Sequence, residues 1–339
     1  MRNRSEQQRH ADILLAAEVS TDIGWQRFER DADEYLTQRE DLAKALADVV
    51  EGTALPVKDR VRAGELLGEI GDLRPGVCSL PPAMVRIEGG TFAIGEPQGH
   101  AENKDEANDQ SHTLVSFELG RYPVTYSQYA MFVNHDGLNI KQPWWNTIMR
   151  TRNLSNDIFR LKSKENITYL SNAYPNYPIT GISWFEATIF CFWLTSFLAD
   201  GWVYRLPAEL EWEYAARGQA RRTFPSGETL IKELQVPDVS DYKLAYPVGC
   251  FRETTTPKGA EDMIGNVQEW TASLYARYSE GKFYQWNDHW PGNHKFFVTR
   301  CGRWVYSPNG IRSTSRSREV PYNSSSIIGF RIVRQLAQK

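Results

Sequence analysis

The residues able to do chemistry in this chain are unevenly placed, and their spacing favours recognition over turnover. Cys78, Cys191, Cys250 and Cys301 stand far apart with no CxxC pair, and His112, His135, His289 and His294 are scattered. Neither a zinc set nor a disulfide framework nor a Ser/His/Asp arrangement emerges, so the thiols read as buried and free. The run Glu102-Asn-Lys-Asp-Glu-Ala-Asn-Asp109 offers oxygens to a hard cation, with a solvated loop as the plainer reading. The densest chemistry lies from Arg300 to Arg331, RCGRWVYSPNGIRSTSRSREVPYNSSSIIGFR, where six arginines face one acid, Glu319, in a chain of net charge -3. Arg300, Gly302, Trp304, Arg312, Arg316, Gly329, Phe330 and Arg331 read as a fixed frame of anchors, forks and turn glycines. The rigid guanidinium fork suits holding irregular backbone to carbonyls and carboxylates. Between them, Val305, Tyr306, Ser307, Asn309, Gly310, Ser315, Ser317, Val320, Tyr322, Ser324, Ser325 and Ser326 share neither period nor chemistry. Tyr gives rigid contact area and Ser, Gly and Asn give adaptable hydrogen bonding, the mixture of a recognition surface. Arg303 and Arg318 join this set as candidates for ligand contact, with a preference for an acidic partner.

Two kinds of sequence must position that segment. Residues 1–80 are charged, rich in Ala and Leu, and helical in period: Trp25, Phe28, Ala32 and Tyr35 recur three or four apart, as do Leu42, Leu46 and Val49, then Val57, Val61, Gly64 and Leu67. About three helices follow, the last entered through Pro56 in its first turn and carrying Gly64 and Gly68 for close approach of a neighbouring helix. The region reads as a packing element, with docking of a partner as the sharper alternative. From residue 81 onward short β-type runs, many Trp and Tyr, and Gly, Pro and Asn turns take over. Val85 to Gly95 alternates as a hairpin turning at Gly89-Gly90. Helices are expected over Ser183 to about Leu198, with Ser183 and Glu186 as a capping box, over Ala208 to about Arg217, and over Tyr126 to Asn134. Trp286-Asn-Asp-His-Trp290 reads as a core plug before the arginine-rich segment.

At 339 residues the chain has room for about two domains and a full core. Interspersed charge argues against a nucleic-acid or membrane-surface binder, and no run of about 18 apolar residues occurs, so a cytoplasmic protein is expected.

The ordered motifs resemble one family. Val85-Arg-Ile-Glu-Gly-Gly-Thr-Phe-Ala-Ile-Gly95, Tyr122-Pro-Val-Thr125, Ile182-Ser-Trp-Phe-Glu-Ala187, Arg205-Leu-Pro-Ala-Glu-Leu-Glu-Trp-Glu-Tyr-Ala-Ala-Arg-Gly218, Asp262-Met-Ile-Gly-Asn-Val-Gln-Glu-Trp270 and Gly329-Phe-Arg331 are similar to the formylglycine-generating-enzyme (sulfatase-modifying factor) superfamily. The resemblance covers about residues 82 to 335 and implies an α+β protein: a C-type lectin fold of the formylglycine-generating type over 81–339, preceded by the helical region 1–80. It also implies that the copper-binding cysteine pair of the oxidases would stand at Arg303 and Pro308, where no soft ligand exists. The iron-dependent branch needs several histidines in its helical part, and here only an exposed His10 is expected. Most similar are the variable proteins of diversity-generating retroelements, whose frame looks like RGGSW, RSAxR, Pro and GFR; this chain reads RCGRW, RSTSR, Pro321 and GFR. Cys301, Arg303 and Thr314 depart from it, and Glu319 is either frame or an exception. The resemblance further implies a calcium site at Asn266, Val267 and Glu269, with a turn and hydrogen-bond network as the alternative.

These readings lead to a non-enzymatic binding protein that needs no cofactor beyond a structural calcium, with a protein or other macromolecular ligand on segment 300–331. The alternative is a formylglycine-type oxidoreductase acting on a peptide cysteine. An adaptor role, with residues 1–80 docking a partner, is compatible with the first.

Overall fold

A computed structural model describes residues 4–23, 32–96, 104–108, 110–145, 175–227, 245–278, 296–301 and 311–337. Three helices open the chain: α1 (Glu6–Ile23), α2 (Ala32–Glu51) and α3 (Val57–Ile70). Their apolar stripes meet at Ala17, Ala43, Leu46, Val50, Leu66 and Leu67, and Cys250 and Phe251, far along the chain, complete the same core. The helices are therefore fastened to the larger body. Gly64 shows how: a Cβ there would stand 2.8 Å from Pro247 Cβ and 2.9 Å from Cys250 Sγ. The close neighbour that this glycine admits is a loop, where the sequence suggested a helix. Arg60, fully buried, donates to the carbonyls of Leu55 (2.7 Å) and Cys250 (3.1 Å), and Asn176 Nδ2 donates to the Gly64 carbonyl at 2.8 Å. Pro56 lies one residue ahead of α3, at its N-cap. His10 is buried, contrary to expectation, with its ring against Gly52. Trp25 and Phe28 lie outside the described residues.

The run Val85 to Gly95 does not fold back at Gly89-Gly90. Strand β1 (Met84–Ile87) pairs with β4 (Phe117–Gly120), and β2 (Gly90–Ala93) pairs with β3 (Ser111–Leu114), all antiparallel. The register is continuous, Met84 opposite Gly120 and Ala93 opposite Ser111, so the alternating run is one long arm interrupted at Glu88-Gly89. A Cβ on Gly89 would lie 2.4 Å from the Leu114 carbonyl, so the glycine serves close backbone approach in place of a turn.

Two four-stranded sheets carry the larger body. One runs β1-β4-β10-β5, with β5 (Trp202–Arg205) and β10 (Val333–Leu336). The other runs β8-β7-β6-β9, with β6 (Gln268–Leu274), β7 (Phe297–Arg300), β8 (Arg316–Glu319) and β9 (Ile328–Phe330); β6 and β9 are parallel. Helix α4 (Tyr126–Asn134) matches its expected limits and is capped by Thr125 and Gln128. Helix α5 (Trp184–Leu198) starts at the expected box, with the Ser183 amide and hydroxyl both donating to Glu186 Oε2 at 2.7 Å. Its apolar side chains are buried over the first three turns, Phe190 and Trp193 packing on Phe132, and Trp184 stacking on Phe297 at 4.1 Å, while Phe197 near its C-terminal end is exposed. Helix α6 is Glu209–Arg217, with Ala208 as its N-cap, and it lies against β6 and β7. Helices and sheets together form the α+β architecture that the motifs implied.

Candidate ligand-binding surface

Segment 311–331 is built on ion pairs that the sequence only half disclosed. Glu209 and Glu213, one turn apart on α6, face the same side and meet the frame arginines. Arg300, fully buried, donates to Glu213 Oε2 at 2.7 Å, Glu209 Oε1 at 3.2 Å and the Ser313 carbonyl at 2.7 Å. Arg316 clasps both oxygens of Glu209 at 2.8 Å, with its guanidinium 4.0 Å from the centre of the Tyr278 ring. Arg312 reaches Glu106 at 2.9 Å, and Arg331 grips Glu269 through Nε (2.7 Å) and Nη2 (2.8 Å). Arg217 Nη1 (3.1 Å) and the Gly95 N–H (2.6 Å) add further donors to Glu213. Burial pushes that carboxyl up, but Arg300 and Arg217 outweigh it and hold it below the ordinary glutamate value. Each guanidinium thus ties a loop to the core, as expected of frame residues. The acids that receive them went unnoticed because Glu209 and Glu213 read equally well as helix N-terminal charges.

Cys301 departs from the glycine of the resembling frame at a position with φ +69°, the left-handed region that glycine tolerates best. Its Sγ donates to the Gly265 carbonyl at 3.0 Å, and burial raises the thiol well above its ordinary value. The other described cysteines are free as expected, Cys191 and Cys250 buried and Cys78 half-buried with its thiol pushed up to about 12 by burial.

The predicted surface residues divide. Arg303, Val305, Tyr306, Ser307, Asn309 and Gly310 lie outside the described residues, as does Pro308, which with Arg303 stands where the resemblance puts the oxidases' cysteine pair. Gly302, Trp304 and the Trp286–Trp290 cluster lie outside them too. Ser315 is buried, following Ser313 and Thr314 in the turn beneath Arg300; its place on a ligand surface is corrected, because that turn supplies carbonyls to the guanidinium. Ser317, half-buried on β8, sits opposite Thr299. Val320, Ser324 and Ser325 are half-buried, and Tyr322 and Ser326 are exposed. Their backbone is held firmly: the Pro321 carbonyl accepts from Trp184 N at 3.0 Å, and the Ser325 carbonyl from Gly181 N (3.1 Å) and Ile328 N (3.0 Å). Glu319 accepts from Asn323 Nδ2 at 2.7 Å and so behaves as frame. Arg318 is exposed, its guanidinium over Tyr275 (5.4 Å) and the edge-exposed Phe296 (5.3 Å).

The calcium reading fails on geometry. Both oxygens of Glu269 already accept from Arg331, and Oε2 also accepts from Trp212 Nε1 at 2.7 Å. Asn266 spends its amide on the backbone of Tyr246, accepting at 3.0 Å and donating at 3.2 Å, while Val267 is wholly buried. With the Glu269 carboxylate taken by a guanidinium and the Asn266 amide by backbone, these residues do not fit the ion and form the turn and hydrogen-bond network instead. Asp105 and Glu106 of the acidic run are likewise engaged by Tyr275 and Arg312, and Glu102 and Asp109 lie outside the described residues. Among the described residues no group of three or more His, Cys, Asp or Glu is placed to hold a metal, and no helix is long and apolar enough to cross a membrane.

This lectin-type body with an arginine-braced C-terminal segment defines a class, and the chain belongs to the family described as the sulfatase-modifying factor enzyme 1-like domain, whose model matches residues 73–336. Among its relatives, the serine/threonine-protein kinase pkn1 of Chlamydia pneumoniae is 28% identical over 258 residues, 75% of this chain and 38% of the kinase. The hercynine oxygenase of Mycolicibacterium smegmatis is 25% identical, covering 76% of this chain and 62% of the oxygenase. The chain therefore spans less than two thirds of the length of these relatives. The formylglycine-generating enzyme of Bos taurus is 24% identical, with 76% and 77% covered. In fold it is similar to PvdO of Pseudomonas aeruginosa (22% identity, TM-score 0.55, 75% of this chain and 94% of that one). It is equally similar to Treponema denticola variable protein 1 (18% identity, TM-score 0.54, 75% and 96%). The relatives correct one expectation. Enzymes match three quarters of this chain, so the missing cysteine pair does not make it a non-enzyme.

Proposed function

We propose that this protein is a ligand-binding member of the family that displays a diversified C-terminal surface, as the variable proteins of diversity-generating retroelements do. One observation carries the reading: from 316 to 327 the main chain is tied to α5 and the core, while Tyr322, Ser324, Ser325, Ser326 and Arg318 keep their side chains wholly or partly in solvent. Substitution there changes what is presented without touching what holds it. The ligand is a protein or other macromolecule, engaged through Tyr and Arg anchors with serines shaping the fit, and the sequence adds Arg303, Val305, Tyr306, Ser307, Asn309 and Gly310, outside the described residues, to the diversified set. No nucleic acid or membrane is its partner, and a cytoplasmic location accords with the composition. Residues 1–80 and 81–339 act as base and display domain, the helices offering a second docking face.

The test is a yeast-displayed library randomised at Ser317, Arg318, Val320, Tyr322, Ser324, Ser325 and Ser326 and panned against hen lysozyme. Folded binders that keep every frame arginine are expected. A library that yields only unfolded clones would overturn the reading. The enzyme relatives favour a second reading, a formylglycine-type oxidoreductase acting on peptide cysteine; oxygen consumption on a cysteine-containing peptide by the purified chain would establish it.

A further inference from the structure

The sheet that carries the display segment is closed at one edge and open at the other. At β9 the protein covers the edge itself: the Phe330 carbonyl accepts from Val124 N at 2.9 Å and the Ile328 carbonyl from Gly181 N at 3.2 Å. Strand β8 is the opposite edge, paired with β7 from Arg316 opposite Arg300 to Glu319 opposite Phe297. An antiparallel ladder uses the N–H and C=O of every second residue, so half the main-chain groups of β8 point away from β7. Among the described residues no backbone group bonds to that outer side. Solvent reaches the strand there. Arg316 is half-buried as a residue although its side chain is only 1% exposed, so the part of it in contact with solvent is main chain.

An open edge is a template for any extended chain unless a side chain selects. Arg318 selects. It is exposed, its guanidinium rests over Tyr275 and Phe296, and no acid pairs with it among the described residues. The neighbouring acids are engaged elsewhere: Glu319 accepts from Asn323, and Asp105 from Tyr275 and from Arg277 at 3.3 Å. A second copy of this chain is a poor occupant, because antiparallel self-pairing about Arg318 sets two guanidiniums opposite each other. A strand of another protein with Asp or Glu at that place makes a charge-assisted contact instead.

We propose that β8 takes its partner by strand addition: an extended peptide segment of a partner protein pairs with the open edge of Arg316–Glu319 and sets an acidic side chain against Arg318. The inference rests on the display reading and names its mode. Main-chain groups of β8 supply bonds that survive substitution at Ser317 and Arg318, while the side chains at those positions choose the partner.

The experiment pans phage-displayed linear dodecapeptides against the immobilised full chain, then measures the enriched sequences as synthetic peptides by calorimetric titration and amide hydrogen exchange. Expected are peptides that carry Asp or Glu and avoid proline. Arg318→Ala should weaken them about tenfold or more, as loss of a charge-assisted contact predicts, and because Arg318 is exposed the variant keeps its fold. N-methylation at alternate peptide residues should weaken them as well, and the outward amides of β8 should exchange about tenfold more slowly in the complex. If no linear peptide is enriched while the randomised library binds folded lysozyme, strand addition is overturned and the display reading stands. Equal affinity for Arg318→Ala would overturn the acidic partner. Unchanged exchange across Arg316–Glu319 would place the peptide off this edge and overturn the proposal.

Discussion

Replacing Arg300 by methionine tests whether the arginines of the C-terminal segment are its frame. The side chain is fully buried, and its fork supplies donors to Glu213, Glu209 and the Ser313 and Thr314 carbonyls. Methionine keeps most of the volume and removes every donor. Neither glutamate is left alone, since Arg316 still clasps Glu209 and Arg217 still reaches Glu213. The loss is therefore that of a broken buried ion pair softened by neighbours, plus two carbonyls without donors, together about 3–5 kcal/mol. At about 2–4 °C per kcal/mol for a domain of this size, the thermal midpoint should fall by about 10 °C in a circular-dichroism melt. Tyr322→Ser, on a half-exposed side chain of the display loop, should stay within about 0.5 kcal/mol and move the midpoint by less than about 2 °C. Because Arg300 and Glu213 act together, Arg300→Met combined with Glu213→Gln should cost clearly less than the sum of the single changes. A shift under about 3 °C for Arg300→Met, or an equal shift for Tyr322→Ser, would refute the division into frame and display.

Two further outcomes follow from the packing. Burial foremost, with Glu261 adding to it, raises the Asp262 carboxyl from its ordinary 3.8 to about 7. The folded chain thus retains a proton that the unfolded chain has already lost between about pH 4 and 7, so this group lowers stability as pH rises through that window and no further above it. Asp262→Asn should gain stability relative to the parent across pH 4 to 7 and hold a constant advantage above about pH 8; a difference independent of pH would contradict the assignment. Gly64→Ala pushes a Cβ to 2.8 Å from Pro247 and should cost about 1–3 kcal/mol, seen as faster tryptic release of the first three helices; unchanged proteolysis would show that the helices are not seated there.

Legibility in the sequence followed the range of the interactions. Helices α4, α5 and α6 were readable to within a residue because caps and period are local: Ser183 with Glu186 announces α5 wherever it packs. The Val85–Gly95 arm was readable as strand but not in its pairing, since alternation fixes a face and says nothing of the partner, here 27 residues away at Ser116 for the Gly89 amide. Gly64 signalled close approach without naming Pro247. The frame arginines were recognisable by type, yet their acids, 87 to 107 residues distant on α6 for Arg300 and Arg316, carry no mark that separates a partner from a helix-dipole charge. The same blindness made Asn266 and Glu269 resemble cation ligands: only the fold shows Arg331 on the carboxylate. Ser315 was misplaced because serine looks alike on a surface and in a turn that feeds carbonyls to Arg300.

The most direct test of a diversified display surface is to sequence the DNA beside the gene. The account predicts a near-copy of the stretch encoding residues 300 to 331, differing only at adenines of the template, next to a reverse-transcriptase gene, with the differing codons at the display positions and the frame codons for Arg300, Arg312, Arg316 and Arg331 unchanged. A locus with no such repeat, or one whose differences fall on the frame, would contradict it.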